Sequence, residues 1–168
     1  MGIEHAASTA GATGDGASGP DLLALENQVC FALAVAARGV IGLYRPILEP
    51  LGLTHPQYLV MLALWERSPR TVRDLGSALH LEPATLSPLL KRLEAQGLVT
   101  RGRSPHDERA LDVSLTPEGR ALRERALGIP PQVVDRLGID LDELGALRDR
   151  LTDVIVAVRA AEGAGERA

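Results

Sequence analysis

The sequence has 168 residues, with 18 lysines and arginines against 22 aspartates and glutamates, and a formal net charge of -4. Its size and its apolar fraction of 45% are typical of one globular domain and exclude a fibrous or wholly disordered chain. The single cysteine, Cys30, excludes an intramolecular disulfide and any zinc cluster that needs several thiolates. A reducing compartment is therefore the simplest expectation.

Two further features bear on location and partners. The longest uncharged apolar stretch, residues 27–37, ends before Arg38 and is shorter than the roughly 18 to 20 residues that span a bilayer. Residues 1–20 lack the basic start and apolar centre of a signal peptide, so we expect a cytoplasmic protein with no membrane partner. Residues 70–125 carry a net charge of +2 and the remainder -6, and a basic middle is typical of a local nucleic-acid surface.

The N-terminal region is predicted to be a tail followed by one long helix. Fifteen of residues 1–20 are Gly, Ala, Ser, Thr or Pro, which predicts a disordered tail. Apolar residues then recur at helical spacing from Leu22 to the predicted break at Pro46. Because most of the circumference of this helix is apolar, we expect it to be buried against a partner chain. We therefore assign residues 21–53 to a dimerisation helix and the turn after it.

Three capped helices follow, beginning at Thr54, Thr71 and Pro83. The last two are separated by only three or four residues, which is the arrangement of a helix-turn-helix. In the second of them, four leucines at positions i, i+3, i+4 and i+7 define a buried face. The opposite face is small and polar, carries two cations and suits a DNA major groove about 12 Å wide. It consists of Ala84, Thr85, Ser87, Pro88, Lys91, Arg92 and Ala95.

After Gly97 the pattern changes from helical to alternating. Residues 98–103 and 109–115 alternate in polarity and are joined by a polar turn, which predicts a β-hairpin. A hairpin directly after a helix-turn-helix indicates a winged helix-turn-helix domain, which we place at residues 54–116.

The C-terminal region is predicted to supply further helices for dimerisation. One helix begins at Thr116 and is ended by Gly128 with the two prolines that follow. Another begins at Asp140 and continues to about Ala161. We assign residues 117–161 to C-terminal dimerisation helices and residues 162–168 to a tail. The fold class is thus mainly α with a small β wing: a winged helix-turn-helix domain plus N- and C-terminal dimerisation helices.

The segment LEPATLSPLLKRLEAQGLVTRGRSPHDERALDVSLTPEGRAL, residues 81–122, strongly resembles the helix and wing of the MarR family of regulators. The most specific element of the match is DER, residues 107–109. Within that family, LENQVCFAL from Leu25, LYRPIL from Leu43 and HPQYLVMLALWE from His55 resemble the organic hydroperoxide resistance regulators. The resemblance implies a dimeric repressor that senses peroxides through a cysteine placed as Cys30 is here.

For DNA, the resemblance implies that the second helix lies in the major groove of an inverted-repeat operator. Hydroxyls and arginine on that helix contact bases or phosphates. The wing arginine, oriented by a neighbouring aspartate, reaches into the minor groove, where A·T-rich sequences concentrate negative potential. Without the resemblance, lysine and arginine on the outward side of a leucine-rich helix usually indicate only a solvent-exposed face. The residues that the resemblance assigns to DNA binding are Thr85, Ser87, Lys91, Arg92, Arg101, Arg103, Asp107 and Arg109.

For sensing, the resemblance implies that two tyrosines of the partner subunit activate the thiol. Tyr44 matches one of them, but the other position holds His55. A sensor thiol must be partly deprotonated near neutral pH, and an imidazole can hydrogen-bond a thiolate or, when protonated, stabilise its charge. Two alternatives stay open: Cys30 is an inert apolar side chain, or the sensor pair has decayed.

Helix geometry makes the dimer part of the sensor. Cys30 and Tyr44 are 14 residues apart, which is about 40° around one straight helix but roughly 21 Å along it. An antiparallel pair of such helices would bring Tyr44 of one chain toward Cys30 of the other. Because no second cysteine is present, a sulfenic acid at Cys30 must be capped by a low-molecular-weight thiol, cyclise with a backbone nitrogen, or be oxidised irreversibly.

The sequence thus predicts a dimeric DNA-binding repressor that releases its operator when an organic hydroperoxide or related oxidant oxidises Cys30. The alternative is a MarR-type regulator that responds to a small anionic or phenolic ligand, with Cys30 inert. An enzyme that pairs Cys30 with His55 lacks an evident oxyanion hole. Since no His, Cys or acidic residues have a recognised ligand spacing, we expect no catalytic site, metal or cofactor.

Overall fold

The computed structural model describes residues 21–104 and 110–165. The chain divides into two compact units, residues 1–38 and 39–168. The first long helix, α1, Val29–Leu48, contains the boundary between them. The predicted tail at residues 1–20 lies outside the described residues.

The first unit contains a short 3₁₀ helix, Leu25–Asn27, and the beginning of α1 at Val29. The predicted helix start at Leu22 is therefore wrong. Gln28 is extended, with φ -88° and ψ 111°, and separates the two helices. Local bonds between side chains and backbone compete with helix formation here, because the amide of Asn27 donates to the Asp21 carbonyl at 2.7 Å.

Helix α1 spans Val29–Leu48 and passes through Pro46, where the sequence predicted a break. A proline in a helix removes one backbone donor, and here the lost bond is two residues before the helix ends. Ile47 and Leu48 are 4% and 0% exposed, so burial of the last turn holds it in helical form.

The segment Val29–Leu51 is long and apolar enough to cross a membrane by length and composition, with a mean hydropathy of 1.5. This corrects the sequence argument, which ended the apolar stretch at Arg38. A long apolar stretch still meets the length criterion when it contains two separated arginines, here Arg38 and Arg45. An apolar helix that is buried in a protein interface has the same composition and meets the same criterion.

The second unit contains the predicted helix-turn-helix and hairpin, and each of these elements is confirmed. Helices α3 and α4 are separated by residues 80–82. The predicted elements have the bounds α2 His55–Glu66, α3 Val72–Leu79, α4 Pro83–Ala95, β2 Val99–Arg103, β3 Leu111–Leu115 and α5 Pro117–Ala126.

The hairpin and a short strand β1, Arg70–Thr71, form a three-stranded antiparallel sheet with the order β1–β3–β2. Val99 of β2 lies opposite Leu115 of β3, and the register continues along both strands. Strand β1, Arg70–Thr71, pairs with β3 and was not predicted, because two residues are too few to show an alternating pattern. The wing is thereby joined to the residues that lead into α3.

Two further helices follow α5 in the described part of the chain. Helix α6, Ile129–Leu137, lies where the sequence predicted only a helix end at Gly128. Its prolines lie in the first turn, where the backbone N–H has no helical partner to lose. Helix α7, Leu141–Gly165, begins as predicted after Asp140, whose carboxylate accepts from two backbone N–H groups, and it ends four residues beyond the predicted Ala161.

The core of the second unit is aliphatic and fixes the orientation of α4. Leu86, Leu90 and Leu93 on one face of α4 are at most 1% exposed, as is Leu75 of α3. Burial of four leucines on the inner faces of two adjacent helices turns the polar face of α4 to solvent. Three of the four leucines of the predicted face are thus buried as expected, and Leu89 is half-buried against the core.

Candidate DNA interface and thiol site

The outward face of α4 is exposed, as the sequence predicts. Thr85, Lys91 and Arg92 are exposed, and Ser87 is half-buried. The face therefore offers a hydroxyl and two cations on one rigid helix, which are groups that contact bases and phosphates. That these side chains bind DNA stays a prediction.

The wing contributes cations beside α4. The guanidinium of Arg101 donates to Glu94 of α4, with Nε 2.9 Å from Oε2. This hydrogen bond holds the pKa of the Glu94 carboxyl below its ordinary value. Arg103 is exposed at the end of β2. Arg101 is thus bonded to α4, and its predicted phosphate contact stays a prediction.

The remaining two predicted DNA-binding residues, Asp107 and Arg109, lie outside the described residues. The structure describes the wing strands on both sides of that turn, and the backbone N–H of Ser104 donates to the Ala110 carbonyl at 2.9 Å.

Hydrogen bonds at the start of α3 fix the helix-turn-helix. The hydroxyl of Thr71 accepts from the backbone N–H of Asp74 at 3.0 Å, which is an N-cap. Arg70 donates to Asp74 at 2.7 Å and to the Ala63 carbonyl at 3.1 Å, so α3 is tied to α2. The Arg70 hydrogen bond lowers the pKa of Asp74.

Tyr44 and His55, two of the three predicted sensor residues, lie together in the second unit. Their ring centroids are 5.0 Å apart with an interplanar angle of 64°. Tyr44 comes from α1, and His55 is the first residue of α2. Tyr58 continues the aromatic cluster, 6.0 Å from Tyr44. The pair is thus assembled by the connection between the two helices.

Burial shifts the protonation of both rings. Desolvation raises the pKa of Tyr44, which therefore keeps its phenolic proton at neutral pH. Desolvation lowers the pKa of His55, which favours the neutral imidazole. The pair thus offers a phenol donor and a neutral ring that donates and accepts, rather than the imidazolium considered from sequence.

Cys30 belongs to the first unit and is the second residue of α1. Its thiol is exposed in the single chain. Val29 and Phe31 beside it are 70% and 40% exposed. An exposed apolar surface around a thiol is what a protein interface would cover.

The sequence analysis missed two glutamines that connect α2 to α4. Gln57 is only 4% exposed, and its amide nitrogen donates to Gln96 Oε1 at 3.2 Å. The spacing of Thr54 and Gln57 is that of a capping box, which could have drawn attention to Gln57. No sequence signal marks the contact with Gln96, which lies 39 positions later.

A cleft of about 1090 Å³ lies within the second unit. It is lined by residues of α3, α4, the wing and α7, including Arg73, Leu86, Arg101 and Val158. Arg159 of α7 contacts the imidazole of His80 at its edge. The apolar walls of the cleft carry three arginines, Arg73, Arg101 and Arg159, and two glutamates, Glu82 and Glu162. The arginines with the apolar walls are the groups that hold a small anion with an apolar body.

Both flanking helices expose large apolar side chains. A single soluble chain rarely leaves so many apolar residues on two long helices, so these helices have the character of an interface. The exposed residues are Val29, Phe31, Leu33, Val35 and Ile41 of α1, and Leu141, Leu147, Val154, Ile155, Val156 and Val158 of α7.

A helix-turn-helix with a polar second helix, an antiparallel wing beside it and apolar flanking helices define a winged-helix DNA-binding regulator. Residues 53–111 match the MarR family. The chain is 45% identical over 127 residues to the organic hydroperoxide resistance transcriptional regulator of Bacillus subtilis strain 168, covering 74% of this chain and 86% of that protein. It belongs to the MarR family of DNA-binding transcriptional regulators, which act as dimers and are not enzymes.

Other relatives agree with this assignment. The HTH-type transcriptional regulator TtmR of Methylorubrum extorquens is 42% identical over 87% of this chain and 75% of its own length. The crystal structure of AbfR of Staphylococcus epidermidis is 33% identical, with a TM-score of 0.69, and covers 81% of this chain and 94% of that one. AbfR has also been solved bound to DNA in reduced and in overoxidized form, each with a TM-score of 0.66.

Proposed function

We propose that this chain is a dimeric repressor that binds an inverted-repeat operator and releases it when an organic hydroperoxide oxidises Cys30. The observation that carries the proposal is the pairing of Tyr44 with His55 at a centroid distance of 5.0 Å, at the two positions that support the sensor thiol in the regulators it resembles. The identity of 45% to an organic hydroperoxide resistance regulator supports it. The cytoplasm, which holds the DNA and keeps the thiol reduced, is the proposed location.

The sensing step is a two-electron oxidation of sulfur. The Cys30 thiolate attacks one peroxide oxygen of the hydroperoxide, so that an S–O bond forms while the O–O bond breaks. Cys30 becomes a sulfenic acid and the hydroperoxide is reduced to its alcohol, which takes up one proton. Condensation with a low-molecular-weight thiol then forms a mixed disulfide and releases water. The protonated Tyr44 of the partner subunit is suited to donate a hydrogen bond to the reacting oxygen.

DNA release follows from the geometry that a two-fold operator imposes. The two α4 helices of a dimer must be about 34 Å apart to enter successive major grooves. A bulky adduct on Cys30 cannot be packed in an apolar helix interface without moving α1. In the proposed bound state Thr85, Ser87, Lys91 and Arg92 face the major groove, Arg101 and Arg103 face phosphates, and Asp107 with Arg109 serves the minor groove.

The proposal is tested by fluorescence anisotropy with a duplex selected from random-sequence DNA by the reduced protein. Wild type and Cys30→Ser should bind this duplex with equal affinity before oxidation. Cumene hydroperoxide, added together with a low-molecular-weight thiol that can form the mixed disulfide, should release wild type and leave Cys30→Ser bound. Release of both proteins at the same dose would contradict the proposal.

A second candidate function is supported by the cleft of about 1090 Å³ in the second unit. In this case a small anionic or phenolic ligand binds between α3, α4 and α7, and Cys30 is inert. Salicylate is a suitable probe because it joins a carboxylate to an aromatic ring. Release of Cys30→Ser by salicylate, with no response of wild type to hydroperoxide, would select this function.

A further inference from the structure

Gln57 joins three backbone segments through one buried side chain. Its Oε1 accepts from the backbone N–H of Thr54 at 2.9 Å, and its Nε2 donates to Gln96 Oε1 at 3.2 Å. Gln96 in turn donates through Nε2 to the Gly52 carbonyl at 2.8 Å. Each amide thus uses both its donor and its acceptor, and the chain of bonds runs from α2 through Gln96 to the residues before α2.

This hydrogen-bond network connects the Tyr44–His55 pair to α4. Gln96 is the C-cap of α4. Gly52 and Thr54 belong to the short connection between α1, which carries Tyr44, and α2, which begins at His55. A displacement of the Tyr44 or His55 ring must therefore move this connection or be absorbed within it. The connection is joined to the end of α4 by the hydrogen bond from Gln96 to the Gly52 carbonyl.

We propose that Gln57 and Gln96 are positioning residues that transmit a displacement of the Tyr44–His55 pair to the C-terminal end of α4. This proposal rests on the proposed function in one respect: it takes the Tyr44–His55 pair as the part of the protein that responds to oxidation of Cys30. A buried amide is costly to leave without a partner, so Gln57 keeps its bond to Gln96 as the connection moves. The end of α4 then moves with the connection.

The test is a double-mutant cycle with His55→Ala and Gln96→Met, read by amide hydrogen exchange in the reduced full-length dimer without DNA. Gln96 is exposed, so its replacement by methionine is compatible with folding. We expect His55→Ala to change exchange at residues 96–98 by about threefold or more in the wild-type background, and by much less when Gln96 is methionine. An equal change in both backgrounds, or no change in either, overturns the proposal.

Gln132→Met is the matched control. Gln132 is an exposed glutamine on α6 whose amide donates to the Gly128 carbonyl at 2.8 Å, within its own helix. This variant should leave the response to His55→Ala intact. If Gln96 had only a structural role, Gln96→Met would raise amide exchange both with and without His55→Ala, and the response to His55→Ala would remain. That result would also overturn the proposal.

The exchange measurement uses neither DNA nor oxidant, so it separates this proposal from the proposed function. A protein whose Cys30 does not control DNA release can still show the coupling between His55 and α4. Conversely, a functioning redox repressor in which exchange at residues 96–98 is unchanged by His55→Ala would refute the positioning role alone. The same variants in the anisotropy assay then show whether the coupling reaches DNA affinity.

Discussion

Arg92 is the side chain of α4 on which we expect DNA recognition to depend most, because it is exposed and arginine makes the commonest base-specific contact, to guanine. Arg92→Ala should lower operator affinity by about 1 to 3 kcal/mol if the guanidinium contacts a base. Anisotropy titrations at several salt concentrations measure this. Arg120→Ala, an exposed arginine on α5, is the control and should bind as wild type does. Equal affinities for Arg92→Ala and wild type would exclude Arg92 from the interface.

His55 gives stability a pH dependence whose sign follows from its environment. Burial lowers its pKa below the ordinary 6.5, so the unfolded chain binds more protons than the folded chain as the pH falls through this range. The contribution of His55 is therefore fully present above about pH 6.5 and is lost below it. Urea unfolding between pH 5 and 8 should show a weaker acid loss for His55→Phe. If the free energies of unfolding of wild type and His55→Phe changed in parallel with pH, His55 would have the same pKa in the folded and unfolded chain.

At the scale of elements, a close approach fixes α5 against the wing. A Cβ on Gly119 would lie 2.0 Å from the carbonyl oxygen of Leu98, and Trp65 donates to the Gly119 carbonyl at 2.8 Å. Alanine normally stabilises a helix relative to glycine. Gly119→Ala should nevertheless lower the free energy of unfolding by about 1 to 3 kcal/mol, because the backbone at Leu98 or in α5 must move to make room for the Cβ. At Gly145 of α7 a Cβ would meet nothing within 4 Å, so Gly145→Ala should be neutral or stabilising. Equal urea midpoints for the two variants would contradict this.

Sequence patterns predicted the elements that have a clear period or cap. The four leucines of α4 and the alternating wing strands were found because one face of each is buried. Helix α6 was missed because Pro130 and Pro131 indicate a helix end as readily as a first turn. The break predicted at Pro46 failed because tertiary burial of the last turn outweighs one lost hydrogen bond.

The candidate site was predictable only in part. Family resemblance drew attention to Tyr44 and His55, and the exposed face of α4 followed from its pattern. The contact of Gln57 with Gln96 has no local signature, because it depends on how α2 packs beside α4. Helical geometry placed Cys30 and Tyr44 too far apart for contact within one helix, and the structure assigns them to different units.

At the scale of the whole molecule, α1 and α7 expose apolar faces, and we expect the dimer to bury them. Ile41 of α1 is 46% exposed in the single chain. Ile41→Glu should place a charge in the interface and shift the protein toward monomer, with loss of operator binding. Sedimentation velocity measures this, and Leu111→Glu on the wing, 49% exposed, should leave the dimer intact. A dimeric Ile41→Glu protein would place the interface elsewhere.

The central claim is that the chemical state of Cys30 sets DNA occupancy. The most direct test titrates the DNA-bound dimer with cumene hydroperoxide in the presence of a low-molecular-weight thiol and measures, on the same sample, anisotropy and intact protein mass. The account predicts that the fraction of DNA released follows the fraction of chains carrying a thiol adduct on Cys30, and that Cys30→Ser shows neither. Release without a change in mass, or a fully modified protein that stays on its operator, would contradict it.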